Sequence, residues 1–237
     1  MNEINVLYIV GNGSLYDNVE LRYSLRSLDK FGKNVGRVFI TGECPDFIDR
    51  EKVTFLPELD IGKPMINHWW KVDQTFRKTE IGDRALLMYD DIFFCKKVDL
   101  AKYPWRWKDL LPIDPQEGEY RSCLYNATKW LQEHNCPILN YENHIPCIYE
   151  KEKFLSMAED YNELKLYDSP MAVRSVYANR FGVDEEHQDD LKIRATVDNL
   201  DKLIENRDCF SIASDCYEGP VEDWLKKTFP ERSRWEK

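Results

Sequence analysis

Residues Ile4 to Gly13 read I-N-V-L-Y-I-V-G-N-G. Seven nearly all apolar, β-branched-rich residues are stopped at once by Gly11, Asn12 and Gly13. Such a run predicts a strand buried on both faces of a parallel sheet. Asp17 or Asn18 then supplies an N-cap for a helix reaching Gly32, with Leu21, Leu25 and Leu28 on its apolar side. Two more strands are predicted at Gly36–Thr41 and Val53–Leu56. This β-α-β-β opening places the chain in the α/β class.

The pattern continues outward. Asn67 to Lys78 is helical in pattern. Ala85 to Tyr89 (A-L-L-M-Y) is another buried strand, ending in Asp90 and Asp91. Tyr103 to Gly118 is rich in Pro and Trp and reads as irregular. Helical patterns follow at Glu150–Asp160 and Ser169–Phe181. The acidic stretch Asp184–Asp190 reads as solvated, Phe210–Ala213 as a strand, and Pro220–Phe229 as a last helix. There are no repeats and no Gly/Ser linker, so residues 1–237 are expected to form a single domain.

Composition removes several classes. The 237 residues carry 33 Lys and Arg against 43 Asp and Glu, a net charge of −10. At 43% hydrophobic and 13% aromatic residues the chain can build a core, which excludes whole-chain disorder. The acidic balance argues against wrapping nucleic acid through its phosphates, though a local basic pocket for one phosphorylated ligand is compatible with it. No apolar run approaches the length of a membrane span, and the N-terminus lacks a signal-peptide pattern. The seven Cys are widely spaced without a C-x-x-C pair, as expected of idle thiols in the cytoplasm.

Three sets of residues could carry chemistry. In open α/β sheets ligands bind beyond the carboxyl ends of the strands. Asp90 and Asp91 at such an end can hold Mg²⁺ or Mn²⁺ and leave coordination sites for phosphate oxygens; a polar turn after a core strand uses the same residues. Arg22 and Arg26, four apart on one helix face, can clamp a diphosphate or form a solvated face, with Glu20 and Asp29 as simple partners. His144, stiffened by Pro146, suits a positioned acid or base, or a hydrogen-bonded loop histidine. His68, at a helix start, has the same two readings. The turn Gly11-Asn12-Gly13 could cradle a nucleotide. No P-loop, G-x-S-x-G elbow or zinc spacing is present.

Taken in order, several segments resemble the Stealth family of sugar-phosphate transferases of bacterial capsule synthesis. N-V-L-Y-I-V-G-N-G (Asn5–Gly13), followed by V-E-L-R-Y-S-L-R-S-L-D-K-F-G (Val19–Gly32), resembles the family's opening; Glu20–Leu28 is the most specific part. R-V-F-I-T-G-E-C-P-D-F-I-D (Arg37–Asp49) resembles its next strand and turn. L-L-M-Y-D-D-I-F-F (Leu86–Phe94) resembles the "Y-F-N-D-D-M-F-F" block. E-N-H-I-P-C-I-Y-E-K-E-K-F (Glu142–Phe154) resembles the block built on "H-x-P". C-F-S-I-A-S-D-C with F-P-E-R-S-R-W-E (Phe229–Glu236) resembles the last block.

The resemblance implies a GT-A-like, Rossmann-related nucleotide-diphospho-sugar fold with a mostly parallel sheet, and a divalent metal, Mg²⁺ or Mn²⁺. It implies transfer of a sugar 1-phosphate from a UDP-sugar to a hydroxyl of a glycan or polymer acceptor, with release of UMP. Carried over, Arg22 and Arg26 match the family's basic pair, Asp90 and Asp91 its acidic pair and metal ligands, and His144 its histidine. Arg174 is the nearest match to a substrate-binding arginine, and Asp215 falls near an acidic position. Gly11, Asn12 and Gly13 stand where the family carries "V-D-G", so Asn12 replaces a carboxylate. Tyr89 replaces the asparagine of "N-D-D". Those departures keep two other readings open: a GT-A glycosyltransferase releasing UDP, and a nucleotide-sugar or glycan-binding protein without catalysis.

Overall fold

The computed structural model describes residues 3–160, 168–183 and 185–237. Its central sheet has the order β4-β3-β1-β5-β9, built from β1 (Ile4–Val10), β3 (Val35–Gly42), β4 (Thr54–Leu56), β5 (Arg84–Met88) and β9 (Cys147–Glu150). β1 pairs in parallel with β3 and with β5, β3 pairs in parallel with β4, and only β9 runs antiparallel. Short strands flank this sheet. β2 (Gly32–Lys33) pairs with β7 (Val98–Asp99), and β8 (Trp105–Trp107) with β10 (Glu185–His187). β6 (Ile92–Phe94) and β11 (Lys192–Ile193) flank β12 (Cys209–Ile212). The helices are α1 (Val19–Phe31), α2 (Pro64–Lys78), α3 (Glu119–Glu133), α4 (Lys151–Asp160), α5 (Val173–Phe181), α6 (Leu200–Ile204) and α7 (Pro220–Thr228).

The apolar runs of β1 and β5 follow from burial on both faces. Leu7, Phe39, Ala85 and Leu87 face one core with Trp69, Val72 and Phe76 of α2. Val6, Tyr8, Ile40, Leu86 and Met88 face the other with Leu21, Leu25 and Leu28 of α1. Successive strand residues point to opposite faces, so a strand packed on both faces is apolar at nearly every position, and Asn5 of β1 is accommodated by donating to the Ile81 carbonyl.

Most elements lie within a few residues of their sequence-derived positions. The expected cap of α1 works differently: Asn18 is left-handed at φ 57° and makes no side-chain cap. Ser14 Oγ instead accepts from the backbone N–H of Tyr16 and Asn18. α3 is an addition, and the region expected to be irregular contains β8. Cys123, Ala127, Trp130 and Leu131 give α3 a helical apolar spacing that the sequence does carry. Of the stretch expected to be solvated, residue 184 lies outside the described residues, and β10 is exposed as expected. All seven cysteines are free thiols. No helix among the described residues is long and apolar enough to cross a membrane.

Arg22 and Arg26 are directed to the C-terminal segment. Arg26 makes a two-point pair with Glu236, Nε to Oε1 at 2.8 Å and Nη2 to Oε2 at 2.9 Å, and donates to the Phe229 carbonyl. Arg22 lies over the Phe47 ring at 4.4 Å, with its Nε 4.0 Å from Glu236. Backbone bonds from Asp49 to Trp235 and from Lys237 to Phe47 complete the clasp. Burial by itself would raise the Glu236 pKa; the Arg26 guanidinium and the Ser233 N–H outweigh it and hold it below its ordinary value. The Glu236 side chain is 2% exposed, so Glu236→Ala leaves a largely buried guanidinium unpaired. The expected cost is about 3 kcal/mol in urea unfolding at neutral pH. A depressed carboxylate pKa stabilises the fold above its unfolded value, and the gain is lost as pH falls through the folded value. The difference between wild type and Glu236→Ala should therefore shrink on acidification.

Candidate active site

The chain runs β1, β3, β4 in one direction across the sheet and returns to place β5 on the other side of β1. The carboxyl ends of β1 and β5 therefore flank a topological switch point, where ligands bind in open α/β sheets. A cavity of about 770 Å³ lies there. Gly11, Asn12 and Gly13 form its rim after β1, His68 and Lys71 reach it from α2, and Asn143, His144 and Arg174 come from the opposite side. A Cβ on Gly13 would meet nothing within 4 Å, so the turn backbone is open to a ligand.

Asp91 stands at the centre of the charged groups. Its Oδ2 accepts from Lys192 Nζ at 3.1 Å, and its Oδ1 lies 3.4 Å from His144 Nδ1. Neither Asp91 Oδ1 nor His144 Nδ1 has a hydrogen-bond partner among the described residues. Burial raises the pKa of both carboxyls; Asp90 is pushed further by the charge of Asp91, while Lys192 opposes the rise at Asp91. The His144 imidazole is held well below its ordinary pKa, first by burial and then by Lys192, Arg174 and Arg194. It is therefore neutral. Its backbone N–H is anchored on Asp190 Oδ2 at 2.7 Å.

Arg174 forms part of the floor. It is 2% exposed and donates to the carbonyls of Asn143 and Ile145. Its Nε has no hydrogen-bond partner among the described residues, and neither has Oδ1 of Asn143, which is 1% exposed. A buried polar atom without a partner costs about 1–3 kcal/mol. Both residues line the cavity. Lys71, 3% exposed, bridges Asp60 at 2.6 Å and the Val10 carbonyl at 2.7 Å, and so ties α2 to the end of β1.

Of the residues singled out from sequence, Gly11, Asn12, Gly13, His144 and Arg174 line this cavity, and Asp91 abuts it through His144. Asp90 follows Tyr89, which lines the cavity, and lies within electrostatic range of Asp91 and Glu20. Arg22 and Arg26 do not come here. The structure pairs them with Glu236 instead, on the face that packs against the C-terminal segment. Asp215 is exposed, beside Cys216 in the loop after β12, and does not line the cavity either. Sequence reasoning missed Lys71, Asn143 and Lys192. Lys71 was accessible, three residues after His68 and so on the same side of a helix.

No protein-family model matches the chain, and no curated protein matches it. Solved structures do. The galactosyltransferase LgtC, in complex with donor and acceptor sugar analogues, matches with a TM-score of 0.53 over 98% of this chain and 98% of that one, at 10% identity. An active-site mutant of LgtC matches with a TM-score of 0.52 at the same identity and coverage. The chain has a GT-A-like fold. The likeness to the Stealth family stands on the motifs alone.

The elevated Asp90 pKa has a consequence for stability. A carboxyl whose folded pKa is raised contributes stability below its unfolded pKa, and that contribution is lost as pH rises through the folded value. In ligand-free protein, Asp90→Asn should raise the urea midpoint in mildly alkaline buffer and leave it nearly unchanged in acid. A variant less stable than wild type at every pH would contradict this assignment.

Proposed function

We propose that the protein transfers a sugar from a nucleotide-activated donor to a hydroxyl of a glycan acceptor and releases the nucleoside diphosphate. The observation that carries this reading is the Asp90–Asp91 pair beside the switch-point cavity of a GT-A-like fold, with Lys192 on one Asp91 oxygen and the cavity-lining His144 facing the other. In the reaction the bond from the anomeric carbon to the diphosphate oxygen breaks. The acceptor oxygen bonds to that carbon, and its proton passes to the departing diphosphate.

Among the described residues, no three His, Cys, Asp or Glu side chains converge on one metal position. Mg²⁺-type sites commonly use one or two carboxylates and complete the shell with water and substrate phosphates. Asp90 and Asp91 fit that arrangement: the free Asp91 Oδ1 is a hard oxygen donor, and both carboxyls are held in a state that a cation would relieve. Mg²⁺ or Mn²⁺ bound there would neutralise charge on the leaving diphosphate. Arg174 and Lys192 supply the cationic surroundings first assigned to Arg22 and Arg26. Asn143 and Arg174 line the cavity and place an amide and a guanidinium beside it. With its depressed pKa His144 is a weak base, so its role is to orient a phosphate or hydroxyl. Tyr120 at the rim offers a ring face to a base or sugar.

Transfer of a sugar 1-phosphate is the second reading, favoured by the motif resemblance. Against it, the most specific block of that resemblance carries Arg22 and Arg26, which meet Glu236 and do not line the cavity.

The test is a screen of UDP-, GDP-, CDP- and TDP-sugars with and without Mn²⁺, with the released nucleotide identified by mass. Metal-dependent release of a nucleoside diphosphate is expected. Asp91→Asn should lower it on the order of 10²–10³-fold, as for loss of one preorganised electrostatic group. Release of the monophosphate would establish sugar-phosphate transfer instead. No release with any donor would overturn both.

A further inference from the structure

Tyr89 departs from the asparagine of the motif block it resembles, and its surroundings account for a tyrosine. Its hydroxyl bonds His68 Nδ1 at 2.8 Å, and His68 Nε2 bonds the Tyr149 hydroxyl at 3.1 Å. His68 and Tyr149 are buried, 4% and 1% exposed. The Tyr89 ring stacks on His144, centroids 4.8 Å apart at 24°, and the Arg174 guanidinium lies 5.7 Å from the same ring. A neutral imidazole has one donor and one acceptor nitrogen. A hydroxyl both donates and accepts, so Tyr89 and Tyr149 can satisfy the two nitrogens of the neutral ring. Burial and the nearby Arg174 charge keep it neutral, with a pKa near 3. His68 is therefore a neutral hydrogen-bonding link between the two tyrosines. It anchors a ring.

We propose that Tyr89 is a positioning residue: the Tyr149–His68 relay fixes its ring, and that ring holds the His144 imidazole with Nδ1 turned to Asp91. The claim rests on the proposed function for the importance of His144. The geometry itself does not depend on that function. Turning His144 about its side-chain torsion would both break the stack and withdraw Nδ1 from Asp91. Asp190 holds only the backbone N–H of His144, and the Tyr89 stack sets the plane of its ring. Small errors in the placement of a reacting group cost up to about 10²-fold in rate.

Two variants and two readouts test this. Tyr89→Phe keeps the stacking ring and loses the anchor; Tyr89→Leu loses both. Each is first checked for native circular dichroism and a cooperative thermal transition. In ¹³C,¹⁵N-histidine-labelled protein, His144 should show one ring tautomer in wild type. Tyr89→Phe should broaden its ring signals, and Tyr89→Leu should give averaged tautomer shifts. With the donor found in the screen, Tyr89→Leu should lower kcat by about 10²-fold with the donor KM within about twofold, and Tyr89→Phe should recover most of it. Should Tyr89→Leu fail to fold, the signals of Tyr89→Phe and of His68→Gln decide: broadening in both supports the relay, wild-type signals in both overturn it. Sharp wild-type His144 signals in Tyr89→Leu would also overturn it. Failure to turn over any donor would remove the transferase reading, and the ring signals would still decide the positioning claim.

Discussion

Two adjacent, half-buried carboxylates at the end of a core strand, Asp90 and Asp91, are the constraint around which this molecule is organised. Partial burial pushes both toward the protonated form, and the charge of Asp91 pushes Asp90 further. The surrounding groups answer that cost. Lys192 bonds one oxygen of Asp91, and His144 faces the other. The backbone is fixed as firmly: Ser24 Oγ donates to the Ile92 carbonyl at 2.6 Å, and the Ile212 N–H donates to the Asp91 carbonyl. A natural protein keeps such an arrangement when a ligand recovers the cost.

The same principle accounts for the helix that follows β1. Ser24 and Ser27 are fully buried and let α1 approach β6 closely enough to bond its backbone. The leucines of α1 face the core beside the sheet, and Arg22 and Arg26 occupy a third side, where the C-terminal segment meets them. One helix thus supports the turn after β5 on one side and closes the chain on another. The two motif blocks that looked separately functional, Glu20–Leu28 and Phe229–Glu236, pair with each other. That pairing ties the C-terminal segment to α1.

The fold was legible in sequence where a strand is buried on both faces, because β1 and β5 then become continuous apolar runs. Asp90 and Asp91 were legible because two charges ending such a run are conspicuous. Helical periodicity put Arg22 and Arg26 on one face, but periodicity is local and carries no information on what that face meets. The partner, Glu236, lies 210 residues from Arg26. Lys192 reaches Asp91 across 101 residues and was invisible for the same reason. α3 was hidden by the Pro- and Trp-rich stretch before it, although its own buried positions carry the helical spacing.

The central claim is that Asp90 and Asp91, with a divalent cation, form the diphosphate end of a nucleotide-sugar site. Isothermal titration of UDP into wild-type protein and into Asp91→Asn, each with and without Mn²⁺, tests it most directly. The account predicts UDP binding by wild type that is strengthened by at least about tenfold, some 1.4 kcal/mol, when Mn²⁺ is present, and a variant that gains nothing from the metal. UDP affinity that is the same in both proteins, with and without Mn²⁺, would contradict it.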